Sequence, residues 1–397
     1  MKVAVVGSGP SAFYTIKYFL KKCGVAFKPK IDIFERLNEP FGLVRFGVAP
    51  DHPEVKNVRN DFKDLLSSNS SSLKLHCGIN VADYGGDVSL KELGSSYDAV
   101  LLATGAQSAK LLEAPGLNPN KNHLPARSFV LWYNGHQDFQ HLMLPSRPKS
   151  VAVFGLGNVA LDVARILSIR PDSLGPLRAE GLSEYAYDWL CERNASQDSP
   201  TCVHIIGRSC YSQAAFTNKE FRELLHIPGC TAVVDPEDLM AIDDLKRNVA
   251  NDRAKSRGLE VLEEMVQNYV RLGVKSVSHD PPKRIIQIHF NTVTDGFKNG
   301  ILETRKFLRA KKSIPADLML SSVGFKVESI SKGTTVGQSG GLNHDGKGRL
   351  IHSDFLNGRF YVSGWAKRGP KGTIAANIPD ALETATAMAE DLLRSSQ

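Results

Sequence analysis

Two short stretches carry residue types at a spacing that can bind a dinucleotide. The first is Gly7-Ser-Gly9-Pro10-Ser11-Ala12, preceded by the apolar run Lys2–Val6 and followed by apolar residues at helical spacing (Phe13, Ile16, Phe19, Leu20). In a strand–turn–helix, Gly7 permits the tight turn and Gly9 lets a pyrophosphate approach the backbone. The small Ala12 lets helix and strand pack closely, and the helix N-terminus offers free N–H groups with partial positive charge. The second is Gly155-Leu-Gly157-Asn158-Val159-Ala160, entered from the apolar run Ser150–Phe154. Asn158 and Val159 are placed to turn backbone N–H groups toward a second pyrophosphate. One such motif is a weak signal, but two in one chain predict two dinucleotides and electrons passing between them.

The residues that follow each motif refine the chemistry. Glu35 closes the run Ile31–Glu35, where a carboxylate binds a ribose hydroxyl; residues 23–30 form a longer loop than usual. The equivalent strand after the second motif, Cys202–Ile206, ends instead in Gly207-Arg208-Ser209. A carboxylate there would repel a 2′-phosphate, whereas Arg208 attracts it, which favours NADP over NAD. A charge-assisted contact of this kind is worth roughly 1.5–3 kcal/mol. Ser209 adds a hydrogen bond but no charge.

The elements that must position these residues alternate between strand and helix, which predicts an α/β fold with two Rossmann-like dinucleotide-binding domains. At 397 residues the chain suits two domains. Buried strands are predicted at 97–106 and 316–325, and an alternating strand at 73–81. A helix runs through Leu66, an amphipathic helix covers 259–272, and strands at 283–290 and 304–310 flank a turn at Gly296 and Gly300. A final helix opens at Gly372 and Thr373, with Asn377 placed to cap a restart before Pro379. Hydrophobic residues at 42% and charged residues at 23% are ordinary for a globular chain. No apolar run reaches membrane-spanning length. The net charge of +7 and pI near 9.0 suit an anionic cofactor or acidic partner. No arginine-rich tail or aromatic–basic ribbon points to nucleic acid. The six cysteines lack Cys-x-x-Cys spacing, which argues against a dithiol redox pair and against a metal or iron–sulfur site. The first strand begins at residue 2, so the sequence is expected to be either cytoplasmic or without its presequence.

Four longer strings add to this. Phe41–Val58, Gly155–Arg165, Ala214–Leu224 and Phe360–Asn377 resemble the adrenodoxin reductase family, mitochondrial-type flavoprotein NADPH:ferredoxin reductases. The likeness spans Gly7 to Leu392. It implies FAD on residues 1–106 and 318–397, and NADP on an inserted domain of residues 107–317. The resemblance further implies that Gly42, Leu43, Val81, Thr104, Gly105, Trp365, Gly372, Thr373 and Ile374 contact a cofactor, FAD at Thr104 and Gly105. Trp365 stands where many related flavoproteins carry Asp. His52 and Glu220 are implied to lie near the nicotinamide. Read without the family, His52 is a loop-capping residue, and Thr217 with Glu220 is a capping box.

The implied activity is oxidation of NADPH by FAD, then single-electron delivery to an acidic [2Fe-2S] ferredoxin. The implied docking surface includes Arg222 and the basic run around Lys246, Arg247 and Arg253, which otherwise reads as a solvated helix face. A monomer in the mitochondrial matrix or a mitochondrion-derived organelle is the matching expectation. Two alternatives fit the same architecture: an NADPH diaphorase or quinone-type reductase, and a non-catalytic FAD-binding partner protein.

Overall fold

The computed structural model describes residues 1–394 apart from 25–26, 120, 196–200, 240–241, 275–283, 307–310, 354–355 and 357. The chain forms two compact units. One comprises Met1–Val48, His52–Ala109 and Gly324–Gln397; the other comprises Ala49–Asp51 and Lys110–Val323.

The first unit is built on a five-stranded parallel sheet in the order Phe360–Val362, Ala99–Leu102, Lys2–Val6, Lys30–Glu35, Leu73–Cys77. Its central strand is apolar on both faces because both are covered. Val3 and Val5 join a core with Phe13, Ile16 and Phe19 of helix Pro10–Cys23 and Ala385, Met388 and Leu392 of helix Asn377–Arg394. Ala4 and Val6 face the opposite core, with Leu90, Leu93, Leu342 and Phe360. The alternation along five residues therefore sets two layers of packing at once.

In the second unit, six parallel strands run in the order His123–Pro125, Leu318–Ser321, Ser150–Phe154, Thr201–Ile206, Arg284–His289, Thr231–Val234. Val151 and Val153 pack beneath helices, among them Ala126–Tyr133 and Asn158–Ser168. Ala152 and Phe154 face a three-stranded antiparallel sheet, Thr292–Lys298, Ile301–Lys306 and Lys311–Pro315, through its Leu302 and Ile314.

Several local expectations shift. The strand expected over 73–81 stops at Cys77, since Gly78 takes a φ of +76° and breaks the ladder. Gly296 lies within a strand at a register shift, and the turn falls on Asn299–Gly300. Of the strands expected at 283–290 and 304–310, residues 283 and 307–310 lie outside the described residues. The amphipathic helix begins at Arg253, six residues before Leu259, and so carries part of the basic run. The last helix begins at Asn377 and not at Gly372; Pro379 sits in its first turn, where a missing N–H costs nothing.

Phe13 is fully buried, stacks on Phe62 with ring centroids 4.7 Å apart and tilts against Phe41 at 5.4 Å. Phe13→Ala is expected to lower stability by about 3–5 kcal/mol. The check is the midpoint of denaturant unfolding, and an unshifted midpoint would contradict this packing role.

Candidate functional site

In the first unit the glycine turn joins the end of strand Lys2–Val6 to helix Pro10–Cys23, with Pro10 at the first helical position and Gly9 as N-cap. Gly7 has a φ of +97°, and a Cβ there would lie 2.6 Å from the carbonyl oxygen of Ala103. Only glycine fits this approach. At Gly9 a Cβ would meet nothing within 4 Å, so the backbone is open on the side where a pyrophosphate would rest. Ser11 and Ala12 are buried in the first helical turn. Thr104 and Gly105 directly follow Ala103 and so border the turn. The loop at Phe41–Gly42 folds onto it: the Phe41 N–H donates to the Ser8 carbonyl at 3.1 Å, and a Cβ on Gly42 would lie 3.2 Å from Gly9 Cα. Gly42 caps the short helix Leu43–Phe46.

Glu35 is buried beside this turn. Its Oε2 accepts from the Ser8 N–H at 3.0 Å and the Ser8 hydroxyl at 2.5 Å, and its Oε1 accepts from the Leu37 N–H at 3.0 Å. The expected ribose acid thus also braces the turn, with one lone-pair position in excess of these three contacts. Ser8, the x of Gly-x-Gly, carried no distinct sequence signal for this role. Across the helix start, the Gly364 N–H donates to the carboxylate of buried Asp380, which also pairs with buried Lys367 at 3.1 Å. That pair positions Trp365, whose indole N–H donates to the Lys371 carbonyl at 3.1 Å. Val81 is buried in the core that holds Val6, Ile374 packs partly on the core around Phe13, and Gly372 and Thr373 are exposed in the turn before the last helix. His52 is buried, with Nδ1 3.1 Å from the Glu54 carboxylate, and it caps Pro53–Lys56 through its backbone.

The second unit repeats the device. Gly155 has a φ of +127°, and a Cβ there would fall 2.3 Å from the Ser322 carbonyl oxygen. Gly157 is open, with nothing within 4 Å of a Cβ, and is the N-cap of Asn158–Ser168; Val159 follows in its first turn. Residues 215–217 close over this turn: the N–H groups of Ala215 and Phe216 donate to the Leu156 carbonyl, and the Thr217 N–H donates to Asn158 Oδ1 at 2.8 Å. Arg208 is exposed at the end of the neighbouring strand and has no ion-pair partner among the described residues; Ser209 is half-buried beside it. These two glycine turns fit dinucleotides, because each leaves open backbone at a helix N-terminus.

Behind the second turn a buried guanidinium gathers acids. Arg165 pairs with Asp51, with Asp162 at 2.7 Å, and with Glu220 and Glu223 at 3.3 Å each. Burial opposes its charge, but hydrogen bonds and charges from Asp51 and Asp162 outweigh that and hold it protonated. Burial pushes the Asp162 carboxyl up to about 6 against the pull of Arg165, and the Glu220 charge pushes the same way. Thr217 caps the helix Asn218–Glu223 by accepting the Glu220 N–H at 3.4 Å, while the Glu220 carboxylate is held by Arg165. Arg165 therefore positions Glu220, a link that sequence spacing (i to i+55) does not announce.

The basic run divides. Lys255 turns inward, donating to the Ala214 carbonyl at 2.5 Å with its ammonium over the rings of Phe216 and Tyr211. Lys246 pairs with Glu263 at 3.1 Å and Arg247 with Asp244. Arg253 is exposed, and Arg222 lines a cleft with Lys219, His226 and Arg257.

Residues 1–174 match the family model described as pyridine nucleotide-disulphide oxidoreductase. The chain is similar to NADPH:adrenodoxin oxidoreductase, mitochondrial, of Rattus norvegicus, at 34% identity over 98% of this chain and 78% of that protein. It is similar to NADPH-ferredoxin reductase FprA of Mycobacterium tuberculosis, at 32% identity over 98% of this chain and 84% of the relative. The structure of that bacterium's FprA in complex with NADPH superimposes with a TM-score of 0.84 at 31% identity, covering 100% of this chain and 85% of the other. Thioredoxin reductase of T. acidophilum, at 12% identity and a TM-score of 0.50, covering 98% of each chain, shares the fold alone.

Asp162 gives the site a pH signature. Its value in the folded protein lies above the ordinary 3.8, so the protonated form is favoured by folding. The corresponding stability is present below the ordinary value and is lost as pH rises toward and through about 6. Asp162→Asn cannot ionise, so its stability relative to wild type is expected to rise by about 2–3 kcal/mol between pH 4 and pH 7. Denaturant unfolding of both proteins across that range reads it; parallel pH curves would contradict it.

Proposed function

The chain belongs to the adrenodoxin reductase family, and we propose how its own residues carry that family's reaction. It is an FAD-dependent oxidoreductase that takes electrons from NADPH and passes them to an iron–sulfur ferredoxin. The observation that carries this reading is the repeated glycine turn, one in each compact unit, with Arg208 at the strand end beside the second. Family members include mitochondrial and bacterial proteins, so the reaction is not tied to one compartment.

In this reading the first unit holds FAD and the second holds NADPH. Gly7–Ala12 and the loop at Gly42 and Leu43 cradle the FAD pyrophosphate, Glu35 receives the ribose, and Thr104, Gly105 and Trp365 line the rest. Val81 and Gly372–Ile374 complete the lining. Gly155–Val159 cradles the NADPH pyrophosphate while Arg208 and Ser209 bind its 2′-phosphate. When bound, the two cofactors supply two-electron oxidation of NADPH and one-electron delivery to the acceptor. The chain's contribution is to bind and orient rigidly, and no side-chain nucleophile is needed. His52 and Glu220 act as polar groups that orient the nicotinamide. The Glu54 contact favours the His52 tautomer with its proton on Nδ1, and Arg165 fixes the Glu220 carboxylate. Arg222, Lys246, Arg247 and Arg253 receive an acidic [2Fe-2S] ferredoxin, an attraction that weakens as salt rises.

A stopped-flow NADPH titration of the purified yellow protein, followed by ferredoxin, tests the whole reading. Flavin bleaching by NADPH and its reversal by ferredoxin are expected, and a flavin that NADPH does not bleach would refute the assignment. Arg208→Ala should lower the NADPH-to-NADH ratio of kcat/KM by about tenfold or more, the value of one charge-assisted contact. An unaltered ratio would remove Arg208 from the 2′-phosphate site. Reversing Lys246, Arg247 and Arg253 to Glu should slow ferredoxin reduction while ferricyanide reduction persists, and unchanged ferredoxin kinetics would remove this patch from the docking surface.

A further inference from the structure

The exposed Arg208 side chain has no ion-pair partner among the described residues, so its direction depends on the backbone of the turn that carries it. That turn is held from one side. Gly207 lies so close to the second glycine turn that a Cβ would fall 2.2 Å from Leu156 Cγ. Its N–H donates to the His289 carbonyl and its carbonyl accepts from the Thr292 N–H, both at 2.9 Å; the Ser209 carbonyl accepts from the Asn291 N–H at 3.1 Å. The chain His289–Thr292 is thus a clasp around Gly207–Ser209. Its central residue, Asn291, holds a φ of +52°, which a side chain adopts at a cost.

The clasp is anchored in the interior. The Asn291 side-chain amide donates to the Asp238 carbonyl oxygen at 3.1 Å, and His289 Nδ1 lies 3.1 Å from Asp238 Oδ2. Lys306 from the antiparallel sheet reaches the second oxygen of Asp238 at 2.5 Å, and His204 Nδ1 lies 3.1 Å from His289 Nε2. The His289 and Asp238 side chains are 1% and 0% exposed. Burial holds both imidazoles below their ordinary value, His204 down to about 3, so His289 stays an uncharged linker that donates from Nδ1 and accepts at Nε2. A buried carboxylate–ammonium pair is a poor source of stability, since desolvation offsets its attraction. What it supplies is a fixed geometry for the groups around it.

We propose that Asp238 and His289, acting through Asn291, are positioning residues for nucleotide selectivity: they hold the Gly207–Ser209 turn in the conformation that aims Arg208 at the 2′-phosphate. This rests on the assignment of Arg208 to that phosphate. Selectivity is then set by a buried lever as well as by surface charge.

The test uses the flavin-loaded full chain. Asn291→Gly keeps the backbone conformation accessible but removes the amide link to Asp238; His289→Gln shortens the ring link. Each is expected to lower the NADPH-to-NADH ratio of kcat/KM by about three- to tenfold, through the KM for NADPH and with little change in kcat. Binding of 2′,5′-ADP should weaken in parallel, with ADP binding retained. Added to Arg208→Ala, Asn291→Gly should change the ratio by less than about twofold, because both act through one contact. If Arg208→Ala collapses the ratio while Asn291→Gly and His289→Gln keep it, the clasp is overturned and the Arg208 assignment stands. If Arg208→Ala itself keeps the ratio, that assignment fails. An equal loss for NADPH and NADH in Asn291→Gly means a general structural role and also overturns the proposal. Should His289→Gln not fold, the Asn291→Gly ratio decides alone.

Discussion

The constraint on which the rest of the structure depends is the contact of two backbones at each glycine turn. Gly7 lies against Ala103 and Gly155 against Ser322, each so near that no Cβ fits. In both places the partner is the end of the adjacent parallel strand, which brings a helix N-terminus, a strand terminus and open backbone to one point. The partial positive charge there is useful only if nothing of the protein's own fills the space, and Gly9 and Gly157 keep it empty. Apolar strands buried on both faces go with this, since each sheet is covered on both sides, in the second unit by helices on one face and by the antiparallel sheet on the other.

Around these turns the chain uses charge in two ways. Exposed cations such as Arg208, Arg222 and Arg253 leave their charge to solvent or to an anion. Several buried ones are matched by acids: Arg165 by four, Lys367 by Asp380 and Glu383, Lys306 by Asp238, whereas buried Arg193 donates to the Leu167 carbonyl and Asn194 Oδ1.

Much of this was readable before the structure. The parallel sheets, both glycine turns and the strand carrying Arg208 follow from apolar runs entering Gly-x-Gly, because local sequence there dictates local geometry. The adjacency of distant residues was not readable. Nothing in the spacing of Ser8 and Glu35, of Arg165 and Glu220, or of Asn291 and Asp238 announces their contact, since each depends on how parallel strands order themselves in a sheet. The start of the last helix departs from its expected place for a different reason. Gly372 and Thr373 look like a helix opening, but Pro379 is tolerated only within the first turn, so the helix begins at Asn377. The basic run of residues 245–257 read as one face, yet Lys255 spends its charge inward on a carbonyl and two rings.

The Glu35–Ser8 brace bears on how this protein would survive losing its flavin. A carboxylate that waited alone for a ribose would be a buried charge with nothing to solvate it, and the apoprotein would have to rearrange or partly melt to relieve it. Here the oxygens of Glu35 are already occupied by two backbone N–H groups and a hydroxyl. The place of this carboxylate is thus set by the chain itself, and a ribose hydroxyl would meet an acid already oriented, with one lone-pair position left to accept it.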